Sequence, residues 1–142
     1  MIGQILVVCE GNICRSPMGE AMFRKHGYRA ASAGLSALVG HGAAEHACDV
    51  MSARGIDISA HRSQQITEKL CSESDLILVM DLAQRRRLES RYPTARGKVF
   101  RLGEHVNVDI VDPYRLPRPA FAECESVIAS SVDSWLAKLA AL

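Results

Sequence analysis

The stretch QILVVCEGNICRSPMGEAMF, residues 4–23, decides how this chain folds. It opens with a continuous apolar run, QILVVC (4–9), which is typical of a strand buried on both faces of a parallel sheet. A short loop containing glycine and asparagine follows, and Ser16 and Pro17 then combine a favoured N-cap residue with proline at the first helical position. The pattern predicts a strand, a tight loop and a helix that begins at Pro17, with Ser16 as its N-cap, and ends near His26.

Beyond this unit, apolar and amphipathic segments alternate along the chain. Strands are predicted over 28–34, 74–81 and 97–102, and helices over 43–54, 82–92 and from Pro119 to the C-terminus. The segment 103–118 leads into VDPYRLPRP and is expected to be irregular. Strands that alternate with helices favour an α/β fold with an open, mostly parallel sheet, in which ligands bind at the carboxyl ends of strands. Cys9 lies at such an end.

Length and composition bound the class of protein. With 142 residues, of which 48% are hydrophobic, the chain is predicted to form one domain, residues 1–142, with a substantial core. A formal net charge of +1 gives no indication of nucleic-acid binding. The apolar run Ile5–Cys9 is five residues long with no basic residue before it, so neither a signal peptide nor membrane insertion is expected. Five cysteines without a CxxC pair are interpreted as reduced thiols of a cytoplasmic protein.

The loop between the first strand and the first helix has the residue types of an anion site. A loop that curls before a helix N-terminus turns backbone N–H groups inward, and the helix dipole adds partial positive charge. Gly11 and Asn12 tolerate the left-handed conformations that such a loop needs, and Arg15 offers a planar fork for two phosphate oxygens. The same positive field stabilises a thiolate at Cys9, which predicts a nucleophile beneath a bound phosphoryl group. Ser16 is expected to donate its hydroxyl to this sulfur.

Transfer of a phosphoryl group to a thiolate also requires a proton for the leaving oxygen. Asp112, in the sequence VDPY, is the candidate acid, since Pro113 restricts it to extended geometry and stiffens the loop. Tyr114 is interpreted as an aromatic wall of the pocket. About a hundred residues separate Asp112 from Cys9, so their proximity is a hypothesis at this point.

Other phosphate and metal sites receive little support from the sequence. No GxxxxGK[ST] motif is present, and GHGAAE (40–45) lacks the third glycine of a dinucleotide site, so neither ATP nor NAD is expected. No metal site is predicted, because zinc requires tight, paired ligand spacing, which is absent from the candidate ligands His41, His46, Cys48 and His61. His61 is interpreted as a hydrogen-bonding support of the loop. The arginines at 85–87 are interpreted as a solvated helix face or a docking site for an acidic partner.

The chain resembles the low-molecular-weight protein tyrosine phosphatases in four motifs: CEGNICRSP (9–17), SAGL (32–35), LILVMD (76–81) and DPY (112–114). The resemblance covers essentially the whole chain and implies a single-domain α/β fold, with a four-stranded parallel twisted sheet and helices on both faces. It implies that Cys9 is the nucleophile, Arg15 the phosphate ligand and Asp112 the general acid. Asp112 would then act as the base that activates water on a phosphocysteine intermediate. No cofactor is expected.

The resemblance also implies roles for the surrounding residues. Ser16 would stabilise the thiolate, and Asn12 would hold the loop through hydrogen bonds that reach Ser32 and His61. Cys14 is expected to form a reversible disulfide with Cys9 under oxidants. The residues predicted to bind the substrate are Glu10, Gly11, Asn12, Ile13, Cys14, Ser16 and Tyr114.

The bacterial branch of this family is the closer match, on the basis of DPYR (112–115) and SAGLSALVGHGA (32–43). This branch implies an enzyme whose substrate is a phosphotyrosine protein, namely a bacterial tyrosine autokinase that controls exopolysaccharide export. The enzyme is expected to be a monomer. Glu10 departs from the family, whose members often carry an apolar residue at this loop position. A carboxylate there is expected to repel acidic substrate flanks and to favour basic ones.

Three other functions remain open at this point. Thioredoxin-coupled arsenate reductases share the fold and a CxGNxCRS loop, but they need a second cysteine pair, and Cys71 has no partner six or so residues further on. A silent phosphotyrosine-binding module would usually lack the nucleophile or the acid, and both are present. A phosphatase of small aryl phosphates would present the same residues.

Overall fold

The computed structural model describes residues 2–142. Its sheet has four parallel strands in the spatial order β2-β1-β3-β4, with β1 at Gln4–Cys9, β2 at Arg29–Gly34, β3 at Leu76–Val79 and β4 at Val99–Arg101. The predicted α/β class and the four-stranded parallel sheet are therefore confirmed. Strand ends lie within two residues of the predicted ends, because pairing with a neighbouring strand, and not apolar character alone, sets where each strand stops.

Within residues 2–142, five α-helices accompany the sheet: α1 Arg15–Lys25, α2 Glu45–Ala53, α3 Glu68–Ser72, α4 Leu82–Arg91 and α5 Arg118–Ala140. Two 3-10 turns, Pro93–Ala95 and Glu104–Val106, are added to them. The helix α3 has no counterpart in the sequence prediction, because five residues are too few to show an amphipathic period. None of the helices in this part of the chain is both long and apolar enough to cross a membrane.

The start of α1 lies two residues before the predicted start at Pro17. The helix begins at Arg15, so Ser16 is its second residue and Pro17 its third, and no side chain caps it. Asn12 has a φ of 60°, which turns the chain towards the helix before Ser16 is reached. Pro17 is tolerated there because the N–H groups of the first turn have no partner inside a helix. The Ser16 hydroxyl is consequently free for another role.

The core forms two layers, one on each face of the sheet. From β1, the side chains of Ile5 and Val7 pack with residues of α1, α2 and α5, including Phe23. Leu6 and Val8 point the other way, into a layer that contains residues of α3 and α4. Since all of these β1 side chains are fully buried, the predicted burial of this strand on both faces is confirmed.

The position of β1 explains why the loop after it is a natural binding site. The chain passes from β1 to β2 on one side and later to β3 on the other, so the strand order reverses beside β1. Helices that cover opposite faces leave a crevice at the carboxyl end of a strand at such a point, and ligands of open α/β sheets bind there. Cys9 is the last residue of β1.

We expect Gly34→Ala to lower the free energy of unfolding by about 1–3 kcal/mol, the usual cost of overpacking. A Cβ at Gly34 would lie 2.8 Å from the backbone oxygen of Glu10 and 2.9 Å from the Cα of Ala37, neither of which can move without distorting the loop. Urea unfolding followed by circular dichroism measures the change.

Gly42→Ala is the matched control for this substitution. Its added Cβ would lie 3.4 Å from a guanidinium nitrogen of Arg62, the end of a flexible side chain, so a change within about 0.5 kcal/mol is expected. Equal stabilities of the two variants would contradict the close approach of β2 to the loop.

Candidate active site

The backbone carbonyls of residues 9–13 all point away from the centre of the loop. They accept hydrogen bonds from the backbone N–H groups of Leu35, Ser36, Leu38 and Ala44 and, at Asn12, from Ser63 Oγ and His61 Nε2. A curled loop whose carbonyls are all bonded outward turns its N–H groups inward. The flanking segments thereby create the concave row of N–H donors that an anion requires.

Asn12 holds the loop from behind. Its side chain is fully buried and donates from Nδ2 to Ser16 Oγ (2.7 Å) and Ser32 Oγ (2.9 Å), while its Oδ1 accepts from the N–H of Gln64 (2.9 Å). The contact with His61 is also present, through the Asn12 backbone oxygen, at 2.7 Å. These bonds maintain a left-handed backbone that asparagine adopts more readily than other non-glycine residues.

The Ser16 hydroxyl lies 2.9 Å from the sulfur of Cys9, and both side chains are buried. A hydroxyl has one proton to donate and accepts through its lone pairs. Because Ser16 Oγ already accepts from Asn12 Nδ2, its own proton is free to point at the sulfur. This arrangement gives the Cys9 sulfur a buried hydrogen-bond donor.

Arg15 adds a positive charge that is only partly matched within the protein. Its guanidinium donates from Nη1 to the backbone oxygen of Ile110 (2.7 Å) and lies 3.5 Å from a carboxylate oxygen of Asp112. Its Nε is buried and has no hydrogen-bond partner in the described residues 2–142. The first turn of α1 also contains no acidic residue. An unpaired buried donor beside an uncapped helix start is the environment that an anion stabilises.

The pocket above the loop has a volume of about 260 Å³. Cys9 and Asp112 both line it, so the tertiary structure brings together two residues that lie far apart in sequence. Its other walls are Glu10, Gly11, Ile13, Cys14, Arg15, Ser36, Leu38, Tyr114 and Arg115. A larger groove of about 720 Å³ lies between α1 and the segment 55–64. No cysteine among residues 2–142 lines this groove. The chemistry therefore belongs to the smaller pocket.

The walls of the pocket overlap only in part with the predicted substrate-binding set. The side chains of Asn12 and Ser16 are fully buried and do not reach the pocket, because they are used in the support of the loop. Ser36, Leu38 and Arg115 line the pocket although sequence reasoning did not select them. Leu38 is an exposed leucine in a loop. The only sequence feature that indicates its role is that it stands next to a second apolar residue, Val39.

The segment that carries Asp112 is attached to the sheet by Arg101. This arginine ends β4, is nearly buried, and donates to Asp109 (3.1 Å) and, more weakly, to Glu104 and Asn107. The N–H of Ile110 donates to the Met80 oxygen at 2.9 Å. The sequence VDPY alone does not reveal these anchors, since their partners are distant or act through the backbone.

Glu10 is not the free carboxylate that the sequence reasoning assumed. Both of its oxygens accept from Arg87 of α4, at 2.6 and 3.3 Å, in a forked arrangement. The hydrogen bonds from Arg87 hold the pKa of Glu10 below its usual range, although partial burial opposes this. The interpretation of residues 85–87 as a merely solvated face is therefore wrong for Arg87.

Cysteines other than Cys9 are suited to remain protonated. Burial raises the pKa of Cys14 and of Cys124 to about 12, and the proximity of Cys9 adds to the effect. Burial also raises the pKa of Cys48 and Cys71. These four thiols consequently offer no competing thiolate near neutral pH.

The residues considered as metal ligands serve other contacts. The His61 ring bonds the loop, and the His46 ring packs edge-on against Phe121, with centroids 5.3 Å apart. Within residues 2–142, no group of three or more His, Cys, Asp or Glu side chains is arranged to hold a metal ion.

Comparisons with known proteins extend this description. The family model described as low molecular weight phosphotyrosine protein phosphatase matches residues 4–142. The chain is 51% identical over 144 residues to the probable low molecular weight protein-tyrosine-phosphatase EpsP of Ralstonia nicotianae, covering 100% of this chain and 99% of that protein. Among solved structures, Vibrio vulnificus Wzb in complex with benzylphosphonate is similar with a TM-score of 0.94 and 40% identity, covering 97% of this chain and 99% of that one. YwlE arginine phosphatase from Geobacillus stearothermophilus is similar with a TM-score of 0.93 and 31% identity, covering 98% and 94%.

The fold places a buried thiol, an arginine and a helix start around one pocket, which is an arrangement typical of anion sites. The match along nearly the whole chain shows that it belongs to the low-molecular-weight protein tyrosine phosphatase family. Accordingly, it is an enzyme, a protein-tyrosine phosphatase.

We expect Ser16→Ala to lower kcat for an aryl phosphate by about 10–100-fold. This decrease is somewhat smaller than the decrease in kcat that follows removal of a hydrogen-bond donor to a developing oxyanion. The physical reason is the loss of the hydrogen bond to the Cys9 sulfur. Steady-state hydrolysis of p-nitrophenyl phosphate measures the effect.

Ser131→Ala is the matched control, because Ser131 is also a fully buried helical serine but donates to the Val127 oxygen of its own helix, α5. It is expected to retain kcat within about threefold of the wild type. A similar kcat for both variants would show that the contact between Ser16 and the sulfur has no catalytic role.

Proposed function

We propose that this protein hydrolyses phosphotyrosine in proteins through a phosphocysteine intermediate, without a metal ion or cofactor. Cys9 acts as the nucleophile, Arg15 binds the phosphoryl oxygens and Asp112 moves the protons. The observation that carries the proposal is the convergence of inward N–H groups, an unpaired buried Arg15 Nε and the Cys9 sulfur on one pocket.

In the first step, the Cys9 thiolate attacks phosphorus while the bond from phosphorus to the tyrosine oxygen breaks. The loop N–H groups and Arg15 stabilise the charge on the equatorial oxygens. Asp112 donates a proton to the leaving phenolic oxygen.

In the second step, water attacks the phosphorus of the phosphocysteine. Asp112, now a carboxylate, takes a proton from this water, the bond between phosphorus and sulfur breaks, and inorganic phosphate leaves. The thiolate is regenerated, and Ser16 donates a hydrogen bond to it. The exposed side chain of Asp112 has access to water, as this step requires.

The apolar walls of the pocket support an aryl group as the carrier of the phosphate. Ile13, Leu38 and Tyr114 line the pocket, and the last two are also among the exposed large apolar side chains. Planar rings gain most from such surfaces. The resemblance to the bacterial branch of the family extends the proposal to a tyrosine autokinase linked to exopolysaccharide production, with the enzyme acting in the cytoplasm.

We expect Cys9→Ser to abolish turnover in EDTA, because the hydroxyl of serine is a far weaker nucleophile than a thiolate. We expect Asp112→Asn to lower kcat by about 10²–10⁴-fold for a phosphotyrosine peptide, and by much less for p-nitrophenyl phosphate, whose leaving group needs little protonation. Turnover of each variant is measured from pH 4 to pH 8.

Cys71→Ala and Asp133→Asn are the matched controls, since Cys71 is buried in the opposite layer of the core and Asp133 lies exposed on α5. Both are expected to keep wild-type turnover. Equal losses of Asp112→Asn on both substrates would remove the acid role. Full activity of Cys9→Ser would overturn the mechanism.

Three further substrates separate the competing functions. Hydrolysis of small aryl phosphates with no turnover of phosphotyrosine proteins, including the autophosphorylated kinase, would indicate a small-molecule phosphatase. Turnover of phosphoarginine proteins would match the activity named for YwlE. Reduction of arsenate with a thiol donor would favour the reductase, although Cys71 is buried in α3.

We further propose that Cys14 protects Cys9 from over-oxidation. Peroxide oxidises the Cys9 thiolate to a sulfenic acid, and the Cys14 thiol then displaces water to form a disulfide. We expect peroxide-treated wild type to recover most of its activity with dithiothreitol, whereas Cys14→Ser recovers little. Cys124→Ser, which alters another buried thiol, serves as the control and should recover like the wild type. Equal recovery of all three proteins would refute this role.

A further inference from the structure

The ion pair between Glu10 and Arg87 stands at the border between two depressions of the surface. Glu10 lines both the pocket and an adjoining groove of about 510 Å³, and Arg87 lines the groove. The groove also shares Arg15 and Asp112 with the pocket. A peptide whose phosphotyrosine occupies the pocket can therefore place a flanking residue in the groove, near this pair.

The other charged groups of the groove have partners of their own. Asp81 accepts from the backbone N–H of Gln84 at the start of α4, and Asp109 pairs with Arg101. Asp112 contacts Arg15 and the N–H of Tyr114. These bonds serve the fold and the acid loop.

The pair is too exposed to be explained by stability. The side chain of Arg87 is 45% exposed and that of Glu10 is 41% exposed. Exposed pairs contribute little to the free energy of unfolding and are screened by salt, whereas charges at the rim of an interface change partner selection and association rate. Both charges also face the groove, so a flanking side chain meets the two together.

We propose that Arg87 is a specificity-determining residue that neutralises Glu10 at the mouth of the pocket, so that the pair suppresses charge selection among substrates. This inference rests on the proposed phosphotyrosine activity. An acidic flank that contacts Arg87 must displace Glu10, and a basic flank that contacts Glu10 must displace Arg87. Each substrate therefore loses about as much binding free energy by breaking the ion pair as it gains from its new contact. The expected preference of a lone Glu10 for basic flanks is hidden by its partner.

Removal of one member of the pair exposes the charge of the other. The test measures kcat/KM for two phosphotyrosine peptides that differ only in one flank, acidic or basic, and uses their ratio. The wild-type ratio is expected to lie within about threefold of one. Glu10→Gln is expected to shift the ratio towards the acidic peptide by about 5–10-fold, and Arg87→Gln towards the basic peptide by a similar factor. The double variant is expected to return to the wild-type ratio, and the shifts should shrink in 0.5 M salt.

Arg86→Gln is the matched control, because it removes the same charge from a neighbouring exposed position of α4 outside the groove. Its ratio should equal that of the wild type. Single variants that leave the ratio unchanged, or that move it in the same direction, would overturn this inference while the proposed function stands. Absence of turnover for both peptides, with p-nitrophenyl phosphate still hydrolysed by every variant, would instead overturn the proposed function and this inference with it.

Discussion

The left-handed backbone at Asn12 is the constraint on which the rest of the site depends. A non-glycine residue in this conformation costs on the order of 1 kcal/mol or more, and it persists only where the surroundings enforce it. Here the enforcement comes from hydrogen bonds to both the side chain and the backbone of Asn12, from Ser63, His61 and Gln64. With this residue fixed, the loop turns into α1 early enough for Arg15 to begin the helix and for Ser16 to face the sulfur.

Stability and function share the same groups in this loop. The carbonyls of residues 9–13 are bonded to neighbouring segments, which satisfies buried polar groups and ties the loop to the fold. The same bonds direct the N–H groups inward, where they have no hydrogen-bond partner among residues 2–142 to compete with an anion. The site is thus preorganised, and a phosphoryl group meets donors that need not rearrange as charge develops.

The two carboxylates that line the pocket, Glu10 and Asp112, form ion pairs with different geometries. Asp112 contacts Arg15 at 3.5 Å, a loose pairing that bound phosphate can replace. Glu10 and Arg87 form a tighter fork at the rim. The hydrogen bonds from Arg87 lower the pKa of Glu10, whereas Asp112 is the carboxylate that we propose for proton transfer. The two acidic residues of the pocket therefore have different environments. Glu10 accepts two hydrogen bonds from Arg87, whereas the side chain of Asp112 is exposed beside Arg15.

The sequence by itself determined the strand β1, the helices with clear apolar stripes, and the residue types of the loop, because these follow from local periodicity and short-range motif spacing. Only the tertiary structure decided that Asp112 shares a pocket with Cys9, that Arg101 anchors the acid loop, and that Arg87 neutralises Glu10. The first and the last of these contacts join segments far apart in the chain, whereas Asp109 lies only eight positions after Arg101. No local pattern encodes which of many exposed charges will meet. The start of α1 was also decided by the tertiary structure. Hydrogen bonds from residues 61–64 hold Asn12, and the helix begins before the position that Ser16 and Pro17 predict.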